Sequence, residues 1–84
     1  MDEKLNVLKN RVADALKDMQ IVVTNITFEK EGSYYFLRIE LDKVNGLDID
    51  TVVEATNIIN PIVDDEDITD EPYILDVISK ERGE

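Results

Sequence analysis

The sequence predicts an α+β fold in the order helix, strand, strand, helix, strand: a two-layer αββαβ domain with two helices packed on one face of a three-stranded sheet. Three observations predict it. Apolar residues recur at steps of three and four in two segments, three other segments alternate or are rich in β-branched residues, and every apolar face must be buried against another. With 84 residues and 43% hydrophobic content, the chain has the material for a modest core in one domain spanning residues 1–84.

The first helix is expected from Glu3 to Met19, where Leu5, Leu8, Val12, Ala15, Leu16 and Met19 fall on one stripe, with Asp2 placed to cap its start. Ile21 to Glu29 reads as the first strand. Its apolar residues change parity between Ile21 and Val23 on one side and Ile26 and Phe28 on the other, so a bulge is expected near Thr24-Asn25. Glu31-Gly32-Ser33 supplies turn chemistry. Tyr34 to Asp42 then alternates cleanly as a second strand, with Tyr35, Leu37, Ile39 and Leu41 on one face.

Lys43 to Asp48, with Asn45-Gly46 inside it, reads as a loop, and Asp50 is placed to cap a second helix from about Thr51 to Val63. Val52 or Val53, with Ala55, Ile59, Ile62 and Val63, gives that helix its apolar stripe. Pro61 lacks an amide hydrogen and crowds the preceding turn, so the last turn is expected to be kinked or absent. After an acidic loop and Pro72, Tyr73 to Ile78 alternates as a third strand, and Ser79 to Glu84 reads as a frayed tail. The inward sheet face takes Leu37, Ile39, Leu41, Leu75 and Val77. The opposite face, with Tyr34, Phe36, Ile74 and Ile78, is expected to be unusually apolar and open, either as simple cross-strand pairs or as a docking surface.

Charge narrows the functional classes. Twenty acids against nine bases give a net charge of -11, which repels a phosphate backbone, and no basic stripe interleaved with aromatics offsets it. Direct nucleic-acid binding is disfavoured. Asp64 to Glu84 holds nine acids against two bases and is the acidic pole; its densest part, Asp64 to Glu71, reads either as a solvated connecting loop or as a patch for a basic protein. Without cysteine or histidine the chain lacks the thiolate nucleophile, the commonest general base and the commonest metal ligands. The N-terminal Met1-Asp2-Glu3-Lys4 lacks the layout of a secretory signal, and the apolar runs are too short to span a membrane, so a soluble cytoplasmic protein is expected.

The motifs with catalytic or ligand-binding spacing stand in contexts that do not support that chemistry. Asp48-Ile49-Asp50-Thr51-Val52 and Asp65-Glu66-Asp67-Ile68-Thr69 both fit D-x-D-x-T/V, in which one aspartate attacks a phosphoryl group and the next protonates the leaving oxygen. Neither follows a strand, and helix capping and loop solvation account for them. Asp65, Asp67, Thr69 and Asp76 are spaced like the ligands of an EF-hand loop, but Asp70 stands where that loop needs glycine. Ser33 and Ser79 lie outside the D-S-L context of phosphopantetheine carriers. Gly32, Gly46 and Gly83 are too dispersed for a phosphate loop. No enzyme, cofactor or metal site is expected.

Ile26-Thr27-Phe28, Leu37-Arg38-Ile39-Glu40-Leu41-Asp42, Gly46-Leu47-Asp48-Ile49-Asp50, Asp67-Ile68 and Tyr73-Ile74-Leu75-Asp76-Val77 together form a recognisable series. Their order and spacing resemble the N-terminal domain of the bacterial ribosome maturation factor RimP, over about four-fifths of the chain. That family has a strand of the type L-R-I-x-I-D, a glycine-containing loop, an Asp-capped helix, an acidic turn and a strand of the type Y-x-L-E-V. The chain departs from the family at Pro61 and Thr56-Asn57. It departs again after the third strand, where the family runs into Ser-Ser-Pro-Gly, Arg-Pro-Leu and a barrel-like second domain. Here only Ser79 and Arg82 echo that stretch, so the chain reads either as a shortened form of such a protein or as a single-domain relative, and the sequence at Ile78 and Lys80 favours the second.

The resemblance implies a non-enzymatic factor that associates with the small ribosomal subunit precursor and aids its assembly by contact with a basic ribosomal protein. An acidic domain gains on-rate and selectivity toward such a partner. The expected contacts are Asp64, Asp65, Glu66, Asp67 and Asp70 as charges, with Tyr34 and Phe36 as an apolar anchor. Two other classes stay open. A self-associating module would bury Tyr34, Phe36, Ile74 and Ile78 in a homodimer, and an acidic nucleic-acid mimic would occupy a nucleic-acid-binding protein.

Overall fold

The computed structural model describes residues 2–80. It contains α1 (Asp2–Leu16), a short 3-10 turn (Lys17–Met19), β1 (Ile21–Glu31), β2 (Tyr34–Lys43), α2 (Ile49–Glu66) and β3 (Tyr73–Ser79). The expected α+β architecture is present. The expected tail beyond Lys80 lies outside the described residues, whereas Ser79 closes β3 and the Lys80 N–H donates to the Leu41 carbonyl at 2.6 Å.

Both helices bury one stripe: Leu8, Val12 and Leu16 in α1, and Ala55, Ile59 and Val63 in α2. These i, i+4, i+8 rows meet the inward residues Leu37, Ile39 and Leu41 of β2, all fully buried, with Ile21 and Ile68 closing the ends of the core. Ala15, expected on the α1 stripe, is exposed. Asp2 and Glu3 lie inside the first turn of α1 rather than Asp2 capping it, where their charge suits the positive end of the helix dipole.

The sheet has the order β1-β2-β3, with β1 antiparallel and β3 parallel to β2. A parallel neighbour requires a crossover, which α2 supplies. The register shifts between Val23 and Asn25, which is the expected bulge. It turns Ile26 and Phe28 to the helix side after Ile21 and Val23 have already faced it. The hairpin loop is Gly32-Ser33, and Gly32 takes φ +64°, a conformation a two-residue hairpin loop favours and glycine adopts without steric cost.

Helix α2 corrects three expectations. Its cap is Asp48, not Asp50: the Asp48 carboxylate accepts from the Thr51 N–H at 2.7 Å. The helix runs through Pro61 to Glu66 instead of ending near Val63. Pro61 and Asn57 are both exposed, so the carbonyl deprived of its partner faces water and the ring points away from the core. Asp64, Asp65 and Glu66 therefore stand on the last helical turn, and the acidic segment is a loop only from Asp67 onward.

Asp67 ends the helix at φ 47° and ψ 61°, with its N–H on the Val63 carbonyl. This left-handed position favours glycine, and a carboxylate here opposes the helix dipole. Asp67→Gly is expected to stabilise the fold by about 1 kcal/mol, measured as a higher urea midpoint with an unchanged slope. The Asp48 cap gives a pH signature. Its hydrogen bonds with Thr51 hold the carboxyl below the usual aspartate range, so its contribution is present above about pH 4 and lost as pH falls through the lowered value. Asp48→Asn, which keeps the cap oxygen, is expected to flatten that part of the acid unfolding curve.

Candidate functional site

Two surfaces meet at the hairpin end of the sheet. The first is the sheet face opposite the helices. Period two in β2 places Tyr34, Phe36, Arg38, Glu40 and Asp42 on this face, and the register brings Glu29 and Glu31 of β1 and Ile74, Asp76 and Ile78 of β3 alongside them. The face is therefore not the plain apolar surface expected: carboxylates surround its aromatic and aliphatic members. Arg38 lies at its centre, with Nε 2.9 Å from Asp76 and Nη1 2.9 Å from Glu31, and ties all three strands together. The hydrogen bonds to Glu31 and Asp76 raise the guanidinium above its ordinary value.

Arg38 also stands 5.5 Å over the Phe36 ring, which leaves Phe36 half-buried. Tyr34 is 64% exposed. Of the two expected anchor residues, Tyr34 is the one open to a partner. Glu40 accepts from the Thr24 hydroxyl at 2.7 Å beside the bulge, while Glu29 projects from β1 next to the hairpin and is exposed. Sequence reasoning overlooked Glu29, Glu31, Glu40 and Asp42 as members of this face, whereas the alternation of β3 already sets Asp76 beside Ile74 and Ile78. The parity of the overlooked carboxylates relative to Phe36, once the hairpin is paired, was the signal that could have found them.

The second surface is the acidic end of α2 and the loop after it. Arg11 of α1 reaches Asp65 at 2.8 Å and Glu66 at 2.6 Å, so these two of the expected contacts are engaged within the chain and brace the helices. Asp64, Asp67 and Asp70 are exposed. Beneath them Phe28, Tyr35 and Tyr73 form an aromatic cluster: Phe28 stacks on Tyr35 at 5.2 Å and meets the Tyr73 edge at 6.0 Å. Lys30 lies 5.7 Å over Tyr35. An open pocket of about 540 Å³ between the hairpin and the loop is lined by Lys30, Ser33, Tyr34, Tyr35, Glu71 and Pro72, and it joins Tyr34 to the end of the acidic loop.

Burial, followed by the charges of Asp64 and Asp67, raises the Tyr73 phenol above its ordinary value. Absorbance titration is therefore expected to place Tyr73 above a free tyrosine. Asp64→Asn with Asp67→Asn is expected to bring it only part of the way back, because burial remains. Stability contributed by the neutral phenol is present below about pH 10 and lost as pH rises through the raised value.

Among the described residues no group of three or more acidic side chains is arranged to hold a metal ion, and no helix is long and apolar enough to cross a membrane. The fold and these surfaces define a small acidic α+β module whose distinctive side chains stand on an open face rather than in a cleft. Residues 11–80 match the RimP N-terminal domain, and the chain belongs to that family. The family is one of ribosome maturation factors, so a role of that kind follows at the level of the family.

Proposed function

We propose that this chain associates with the precursor of the small ribosomal subunit and assists its assembly without catalysis, by binding a basic ribosomal protein on the open sheet face and the adjoining acidic end of α2. The observation that carries the reading is Tyr34, exposed and surrounded by carboxylates: Glu29 and Glu31 on its own face, and Glu71 across the pocket. An aromatic anchor with two flexible angles contributes contact area at low entropic cost. The carboxylates around it steer Lys- and Arg-rich partners and repel bare RNA. Tyr34, Asp64, Asp67 and Asp70 serve as contacts, Phe36 adds apolar area beside Tyr34 under the Arg38 guanidinium, and Asp65 and Glu66 contribute field while held by Arg11.

The test is co-sedimentation with small subunits, comparing mature particles with particles from cells stalled in assembly. Saturable binding to the immature particles that weakens as salt rises supports the reading. Absence of binding at low ionic strength contradicts it. Equal binding to mature and immature particles contradicts the assembly role while leaving the contact itself intact.

A further inference from the structure

Strand β3 lies at an edge of the sheet, with β2 on one side and, among the described residues, no strand on the other. Because the Lys80 N–H bonds to Leu41 and the Leu41–Ser79 register is regular, period two directs the backbone of Ser79, Val77 and Leu75 away from β2. Their N–H and C=O groups form a template for a further strand. The inward side chains Leu75 and Val77 are only half-buried, while Leu37 and Ile39 beside them are fully buried. The apolar layer stops one strand short of full cover.

Alongside this edge runs a groove of about 390 Å³ between β3 and the first turns of α2, lined by Leu47, Ile49, Val52, Val53, Val77 and Ile78 among others. Ile49 is 81% exposed and Val53 is 53% exposed. A strand added beside β3 would present alternate side chains to two different environments. One set would enter this aliphatic groove. The other would extend the open face, next to Asp76 and Ile78 of β3, with Glu40 of β2 one strand further in.

We infer that the β3 edge and its groove accept an extended segment of a partner protein whose residues alternate between aliphatic and basic, by strand addition. The mode uses main-chain hydrogen bonds for affinity and alternate side chains for specificity. The choice of occupant follows from charge: the acidic face selects Lys or Arg on the outward positions, and a net charge of -11 disfavours a second copy of this chain. The inference rests on the proposal of a basic partner and adds its local conformation and sequence pattern.

The experiment titrates the isotopically labelled full chain with a capped hexapeptide alternating valine and lysine, and with a hexapeptide of the same composition in two blocks, at low ionic strength. The alternating peptide is expected to bind, to shift the amide signals of Leu75, Val77 and Ser79, and to slow their hydrogen exchange. Val53→Asp is expected to weaken its binding about tenfold with an unchanged circular dichroism spectrum, and Ile49→Asp serves if that variant folds poorly. Equal binding of both peptides, or shifts confined to the carboxylate-bearing residues, overturns strand addition while leaving a basic partner in place. Binding at the β1 edge instead overturns the assignment to β3. No binding of either peptide overturns the inference and counts against the basic partner as well.

Discussion

Ile39→Ala is expected to lower the free energy of unfolding by about 3 kcal/mol, within the range of about 2–5 kcal/mol for such truncations. Ile39 is fully buried at the middle of the central strand, where it pairs with Ile26 of β1 and Val77 of β3 and lies in the core cluster with the buried stripes of both helices. No surface element can collapse into the space it leaves. For a small domain whose whole stability is of the order of 5–10 kcal/mol, this is a large fraction. Ile74→Ala, at a side chain 45% exposed on the open face, is expected to cost less than about 1 kcal/mol. Urea unfolding of the two variants checks the layer assignment directly. Similar losses at both positions would mean that the sheet has been assigned the wrong inner face.

Reversing charge on the open face by Glu29→Lys with Glu40→Lys is expected to weaken binding to immature small subunits by more than about tenfold, and to reduce its salt dependence. Glu29 lies opposite Phe36 and Glu40 stands two rows further along the same face, so the pair changes the field along the sheet while Arg38, Glu31 and Asp76 keep their bridge, and the unfolding curve checks the loss of the Thr24–Glu40 hydrogen bond. Asp64→Lys with Asp67→Lys probes the other surface and is expected to act in the same direction. Reversal at Asp65 and Glu66 is a different case, because it places like charge against Arg11 and disturbs the contact between the helices. Binding by that variant should therefore be read only beside its unfolding curve. Unchanged affinity in the Glu29 and Glu40 variant at low salt would remove the open face from the interface.

The layer order was legible because its signals are local. Leu8, Val12 and Leu16 repeat at helical spacing, Leu37, Ile39 and Leu41 alternate, and the parity change from Val23 to Ile26 announces the bulge that the register contains. The bounds of α2 were not legible in the same way. Asp48 and Asp50 are equally good capping residues by type, and only the extended backbone at Asp48, with its carboxylate on the Thr51 N–H, decides between them. Pro61 argued for a break, yet its position lies opposite the buried row of Ala55, Ile59 and Val63, where the lost hydrogen bond faces water. The acidic turns of α2 are tolerated because Arg11, more than fifty residues away in sequence, meets two of the carboxylates. That pairing depends on helix packing and leaves no local trace.

The candidate site was half visible. Tyr34 was identified as an exposed aromatic on the correct face, but Phe36 was placed beside it without the guanidinium that covers its ring. The carboxylates of the open face were counted as charges along the chain rather than as neighbours of Tyr34. Their grouping arises from register, which sets Glu31 opposite Tyr34, Glu29 opposite Phe36 and Asp76 opposite Arg38. The groove beside β3 arises from the crossover, which lays the start of α2 along a strand edge that no other described strand flanks.

The central claim is that the open face meets a basic ribosomal protein, and photo-crosslinking from position 34 tests it most directly. A benzophenone amino acid in place of Tyr34, irradiated while the chain is bound to immature small subunits, marks whatever lies within a few ångströms of the ring. The account predicts a crosslinked product containing a Lys- and Arg-rich ribosomal protein, diminished by the Glu29→Lys and Glu40→Lys pair. Crosslinks dominated by ribosomal RNA, or by a second copy of this chain, would contradict it.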